Sequence, residues 1–215
     1  MIRSLLCTGV LCGAVTGCAL APAPSENLLD AATLAGWEAR TQPTAALQDV
    51  LTVQPDGVLA VAGKPSGYFA TKAGYADYRL HVEWRWTDKP GNAGVLLHIS
   101  DGPMDRVWPL SLQVQTKRGS AGDILPMAGA TFAEPATSAP GAQPVIKAHT
   151  APDSERLAGE WNSADIVCRD GSVEVSINGV AQNRVTAAQP RQGRIGFQLE
   201  GAPYQLRNVT LTKVR

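Results

Sequence analysis

Seven polar side chains stand out because of where they fall: Glu83, Arg85, His98, Gln113, Gln115, Gln198 and Glu200. Each sits opposite the apolar row of a stretch in which every second residue is apolar, so it leaves the core that its neighbours enter. Carboxylates and an imidazole can do acid–base work, and primary amides offer paired donors and acceptors. If the stretches share one concave sheet, the seven line a polar groove suited to a hydroxyl-rich ligand with an aromatic platform nearby. The same alternation also places polar residues in water, so the groove depends on how the strands assemble. Other chemistries find little support. His81, His98 and His149 lie far apart and no Cys pair exists for zinc. No Gly-rich phosphate loop precedes a helix, and no serine stands on a strand-to-helix elbow.

The elements that must position these groups read as short strands. In Tyr78–Trp86 the apolar row is Tyr78, Leu80, Val82, Trp84 and Trp86. Pro90-Gly91-Asn92 turns the chain into Gly94–Ile99, where Val95, Leu97 and Ile99 point one way and His98 the other. Leu110–Lys117 alternates again, Asp165–Cys168 and Ser172–Ile177 lead to an Asn178-Gly179 hairpin signal, and Arg194–Glu200 and Leu206–Val214 close the chain. Lone aromatics such as Trp37, Trp84, Trp86 and Trp161 are expected in the core. Periodicity vanishes between Thr131 and Ala158, a long loop that is either a functional rim or a surface excursion. Many short strands without a strong helix predict an all-β sandwich of two antiparallel sheets.

Composition narrows the field further. The 215 residues carry 19 basic and 19 acidic side chains, a formal net charge of zero, which disfavours a binder of bulk nucleic acid. Hydrophobic residues at 44% supply a core, and 21 Gly with 15 Pro argue against a helical bundle. At the start, Leu5–Val15 is uncharged but too short to span a membrane as a helix. It ends in Val15-Thr16-Gly17-Cys18, which resembles the lipobox of bacterial lipoprotein signals. Residues 1–17 are therefore expected to be a signal peptide, 18–26 a lipidated Cys18 with its tether, and 27–215 the folded domain. The other reading is an ordinary secretory signal with Cys18 incidental. With Cys7 and Cys12 removed and Cys18 acylated, Cys168 is left alone, a buried structural thiol with no disulfide expected. The lipid would be the only membrane contact. Ala19 after the Cys favours the outer membrane, facing the periplasm of a Gram-negative bacterium.

An ordered set of segments adds a family resemblance. These are Gly67-Tyr-Phe-Ala-Thr71 with Tyr75-Ala-Asp-Tyr78, Gly91-Asn-Ala-Gly94, Val107-Trp-Pro-Leu-Ser-Leu-Gln-Val-Gln115 running to Asp123, Gly159-Glu-Trp-Asn162, and Gly193-Arg-Ile-Gly-Phe-Gln-Leu-Glu-Gly201 leading to Arg207-Asn208. Across residues 27–215 the chain resembles the 3-keto-disaccharide hydrolase domain family. The resemblance implies a concanavalin-like jelly roll with its site on the concave sheet, and cleavage of glycosides already oxidised to a ketone at C3. It implies Glu83 or His98 as proton acceptor and Arg207 as stabiliser of the enolate oxygen, or as a brace for Glu200. Arg85, Gln113, Gln115, Gln198 and Asn162 become carbohydrate partners and Trp108 a stacking wall. It also implies a divalent cation, calcium or another, with Asp123 and Glu200 as ligands. Asn92 and Gly94 are assigned to the turn before the His98 strand. One departure is notable: Gln113 stands where members with the Trp-Pro segment commonly carry Glu, and an amide exchanges no proton. The alternative outcome is a carbohydrate-binding lipoprotein without catalysis.

Overall fold

A computed structural model describes residues 24–30 and 32–214. The expected signal segment, Cys7, Cys12 and the lipidation residue Cys18 lie outside the described residues. The strands are β1 (Ser25–Asn27), β2 (Trp37–Gln42), β3 (Leu51–Val53), β4 (Leu59–Val61), β5 (Ser66–Thr71), β6 (Tyr78–Trp86) and β7 (Gly94–Asp105). They continue as β8 (Trp108–Gln115), β9 (Ile124–Met127), β10 (Asn162–Arg169), β11 (Ser172–Ile177), β12 (Val180–Val185), β13 (Arg194–Leu199) and β14 (Tyr204–Lys213). Among the described residues a 3-10 turn (Leu34–Gly36) leads into β2 and a short α-helix, α1 (Leu47–Val50), leads into β3. The two-sheet antiparallel sandwich expected from periodicity is present. Pairing starts at Ser25, which opposes Thr212, so two residues assigned to the tether belong to the domain.

One sheet has eight strands in the order β12-β11-β10-β6-β14-β4-β3, with β1 also on β14. The other has six, in the order β2-β5-β13-β7-β8-β9. The core between them takes the inward row of each strand: Tyr78, Leu80, Val82, Trp84 and Trp86 from β6 meet Val95, Leu97, Leu112, Val114 and Phe197 of the facing sheet. Trp37, Phe69 and Phe197 pack together at centroid separations of 5.5–5.9 Å, with Phe197 stacked on the other two rings. Cys168 lies in this core beside Tyr78, and burial pushes its thiol up to about 12, as expected for a structural thiol.

The alternation breaks on β14, where Asn208 takes a left-handed φ of 50° and the register slips between Arg207 and Thr210, and with larger consequence at His98. His98 adopts a left-handed φ of 55°, and the β7–β8 register slips between Leu97 and Ser100. This bulge turns the rest of β7 over. Ile99, expected beside Val95 and Leu97, instead joins Tyr68, Ala70 and Leu96 in a separate apolar cluster on the outward face of the six-stranded sheet.

The long segment after β9 is a rim fixed to the body. Ile124 and Lys147 exchange both backbone hydrogen bonds at 2.9 Å, and Asn183 Nδ2 donates to Lys147 O at 3.0 Å. Thr131 and Gln189 are paired in the same way.

Candidate functional site

Outward residues of neighbouring antiparallel strands meet in cross-strand rows. On the six-stranded sheet one row runs Arg40 (β2), Tyr68 (β5), Gln198 (β13), and continues through Gly94 (β7) to its partner Gln115 (β8). The adjacent row contains Gly196, Leu96, Gln113 and Leu125. Above the β8 and β13 end of these rows lies a groove of about 400 Å³, walled by Trp108, by Asp105 and Arg106 from the β7–β8 hairpin, and by rim residues 143–146.

Its floor is a chain of amides. Gln198 Nε2 donates to Gln113 Oε1 at 3.0 Å, and Gln113 Nε2 donates to Gln115 Oε1 at 2.7 Å. All three side chains are buried, although they point away from the sandwich core. Gln198 Oε1 and Asn92 Oδ1 have no partner within the described protein. A buried acceptor in this condition gains when a hydroxyl donates to it. Gly94 makes the arrangement sterically available: a Cβ there would lie 2.8 Å from Gln113 Cγ and 2.9 Å from Gln198 Oε1. The glycine is therefore floor space beneath two amides as well as part of a turn.

Beside the amides stands Glu200, half-buried, with Asn92 opposite it in an isolated bridge. Burial raises its carboxyl above the usual range, and a hydrogen bond from Asn92 with the charges of Arg106 and Lys117 only partly offsets this. A carboxylate so placed is a better proton acceptor than a solvated one. Asp123 also lines the groove, but its Oδ1 accepts from the His149 backbone N–H at 2.8 Å and lies 2.6 Å from His149 Nδ1. Asp123 thus ties the rim to the groove. The Asp123–His149 pair escaped the sequence reading because its partners are 26 positions apart, joined through the aperiodic segment that begins at Thr131.

The cation expectation meets a poor donor set. Among the described residues no three His, Cys, Asp or Glu side chains converge on a point, and the Asp123 oxygen is committed to His149. The residues do not fit a cation held by Asp123 and Glu200, and no step is routed through one.

The expectation that all seven polar positions share one groove is corrected by topology. Gln113, Gln115, Gln198 and Glu200 lie there with Trp108 and Asp123. Glu83, Arg85 and Arg207 lie on β6 and β14, hence on the outward face of the other sheet. There Glu83 accepts from Arg207 Nε at 2.6 Å and from Asn208 Nδ2 at 2.7 Å. Burial would raise its carboxyl, but the bonds from Asn208 and Arg207 win and hold it below the usual range. Arg207 braces Glu83, not Glu200. Its guanidinium also lies 4.1 Å from the ring centre of Trp161, with that of Arg85 at 4.6 Å. Trp161 is therefore a partly exposed surface stack, not the core residue expected.

Asn162 lies near that surface but faces inward with Ala164 and Ile166. Its Oδ1 accepts from Arg156 N at 2.7 Å and from Asn178 Nδ2 at 2.8 Å, bracing the loop before β10. His98 is in neither place. The bulge turns its ring into a buried position 5.5 Å from Tyr78, with Nδ1 3.1 Å from Pro190 O and Nε2 3.2 Å from Ala76 O. Burial lowers its pKa more than these carbonyls and Asp77 raise it.

Comparison with known proteins agrees with the architecture. Residues 24–212 match the 3-keto-alpha-glucoside-1,2-lyase-like domain. No curated protein matches the chain. A candidate glycosyl hydrolase from Parabacteroides distasonis superposes with a TM-score of 0.60 at 17% identity, over 84% of this chain and 89% of that one. The carbohydrate binding module CBM66 from Bacillus subtilis gives 0.57 at 9% identity, over 83% and 96%. The polysaccharide lyase family 7 alginate lyase AlgAT5 gives 0.50 at 11%, over 85% and 96%. At these identities the likeness is one of fold, shared by enzymes and binding modules alike.

Proposed function

Because the chain belongs to the family of 3-keto-alpha-glucoside-1,2-lyase-like domains, and is on that ground a carbohydrate-active domain, we propose that it cleaves 3-keto-glycosides in the groove of the six-stranded sheet. The observation that carries this reading is the buried Gln198–Gln113–Gln115 amide chain beside the half-buried Glu200. The amides match sugar hydroxyls, Trp108 offers an apolar wall, and Glu200 is the proton-transfer group. A ketone at C3 acidifies the C2 proton. Glu200 accepts that proton, and the electron pair, delocalised onto the C3 oxygen, forms the C1–C2 double bond as the aglycone leaves C1. The aglycone oxygen takes up a proton from protonated Glu200 or water. Water then adds at C1 and a proton returns to C2, giving the free 3-keto sugar. Arg106 and Lys117, which act on Glu200 electrostatically, supply positive charge to the enolate oxygen. Gln113 serves as a hydroxyl partner, because its amide holds no transferable proton.

The test is turnover of a 3-keto-disaccharide by the purified protein, with and without chelator. Release of the free 3-keto sugar, unaffected by chelator, is expected. Saturable sugar binding without product would leave a carbohydrate-binding module on the same fold. Residues 1–18 further suggest export and lipidation at Cys18, with the domain on the periplasmic side of the outer membrane. Cys18→Ala should move the protein from the membrane fraction to the soluble fraction, and an unchanged distribution would remove the anchor from this reading.

A further inference from the structure

The groove has a neighbouring cavity on the same sheet face. A second, of about 470 Å³, lies over β2 and β5 and is lined by Arg40, Thr44, Tyr68, Met104, Arg106 and Val107 among others. Arg106 lines both cavities, so the tip of the β7–β8 hairpin stands between them. The cross-strand row Arg40–Tyr68–Gln198 runs beneath that tip and joins the two floors. At the strand spacing of a sheet, Gln198 on β13 and Arg40 on β2 are about 10 Å apart. A sugar ring held on Gln198 does not reach Arg40, but the group bonded across its glycosidic oxygen does.

The two cavities differ in charge. The groove contains Glu200, Asp123 and Asp105, whereas no carboxylate lines the second cavity. Its nearest acids are outnumbered. Glu38 Oε1 accepts from both Arg40 (3.1 and 3.2 Å) and Arg194 (2.6 Å), and Asp105 is 3.5 Å from Arg106. Three guanidinium groups thus share two carboxylates. Arg40 spends its Nε and Nη2 on Glu38, while its Nη1 makes no hydrogen bond among the described residues. Tyr68, Met104 and Val107 supply apolar surface between the cations.

Resting on the functional reading above, the geometry points to a subsite for a leaving portion that bears a carboxylate. The 3-keto sugar lies on the amides, and the anionic end of the aglycone pairs with Arg40 while its body packs on Tyr68 and Met104. Charge-assisted pairing with a guanidinium gives such an aglycone a preference over its neutral analogue.

The experiment compares two substrates on the full chain: the 3-keto-α-glucosides of phenol and of 4-hydroxybenzoate. The carboxylated substrate should show kcat/KM about tenfold higher. Arg40→Gln should abolish this preference while leaving turnover of the phenyl glycoside unchanged, and Arg40→Lys should retain part of it. Equal kcat/KM for the two substrates, or a preference that survives Arg40→Gln, overturns the subsite and leaves the functional reading intact. If neither substrate turns over, calorimetric titration with the unoxidised glucosides decides. Tighter binding of the carboxylated one by about tenfold, lost in Arg40→Gln, supports the subsite although the catalytic reading has failed. Equal or absent binding overturns it.

Discussion

The outward faces of the two sheets follow the same rule in sequence and end in different physical states. On the eight-stranded sheet Glu83, Arg207 and Asn208 satisfy one another, and the carboxylate is stabilised where it stands. On the six-stranded sheet the rim and the β7–β8 hairpin wall the outward side chains, so Gln113, Gln115 and Gln198 are as buried as core residues. Glu200 there is held with its charged form disfavoured. One face spends its polar groups on stability. The other keeps a carboxylate and two unpaired oxygens in a strained electrostatic state, the condition usual for sites that do chemistry.

The sharpest way to break this comparison is a pair of variants. Glu200→Gln is expected to reduce turnover of a 3-keto-glycoside by about 10²–10⁴-fold, while Glu83→Gln leaves kcat within a few-fold, roughly the scatter of a distant surface change. Steady-state kinetics on both decides, and the reverse order of effects would move the active face to the other sheet. Gly94→Ala comes next. Its methyl enters the space of Gln113 and Gln198, so a loss of about 1–3 kcal/mol in denaturant unfolding should accompany weakened sugar binding. Unaltered binding would show that the amide floor does not hold ligand.

The pH dependence of stability should carry opposite signs for the two carboxylates. The folded-state pKa of Glu83 is below the ordinary 4.5, so its contribution is complete above 4.5 and is lost as the pH falls through the folded value. That of Glu200 is above 4.5, so its contribution is complete below 4.5 and is lost as the pH rises through the folded value. Melting curves of the two Gln variants across pH 3 to 7, a range set about these values, should diverge from wild type in opposite limbs. Parallel curves would refute the contrast. The smallest effect belongs to the buried imidazole. The folded-state pKa of His98 lies below 6.5, so wild-type stability should fall as the pH drops below 6.5. His98→Gln should flatten that limb without altering the pH dependence of kcat, because the ring does not reach the groove.

Much of this was legible in the residues. Period-2 alternation located β6, β7, β8, β10, β11, β13 and β14, though not β9 or β12, and away from the bulges it identified which side chains leave the core, because pleat geometry acts within one strand. Ordered motifs identified the family. The groove residues Trp108, Gln113, Gln115, Asp123, Gln198 and Glu200 were all named from the chain alone. Alternation says nothing about which sheet a strand joins, and that is why Glu83 and Gln113 looked equivalent. Strand partners are chosen by long-range burial: β6 between β10 and β14, β13 between β5 and β7. The bulge at His98 was equally invisible, since one left-handed residue reverses the faces after it without disturbing the sequence pattern. The Asp123–His149 tie and the row from Arg40 to Gln198 join residues 26 and 158 positions apart. The sequence by itself determined, away from the bulges, which side chains each strand would turn toward the core and which away from it. The tertiary structure alone decided which exposed side chains would meet, because neighbours across a sheet are set by strand order and register, and neither is a local property of the chain.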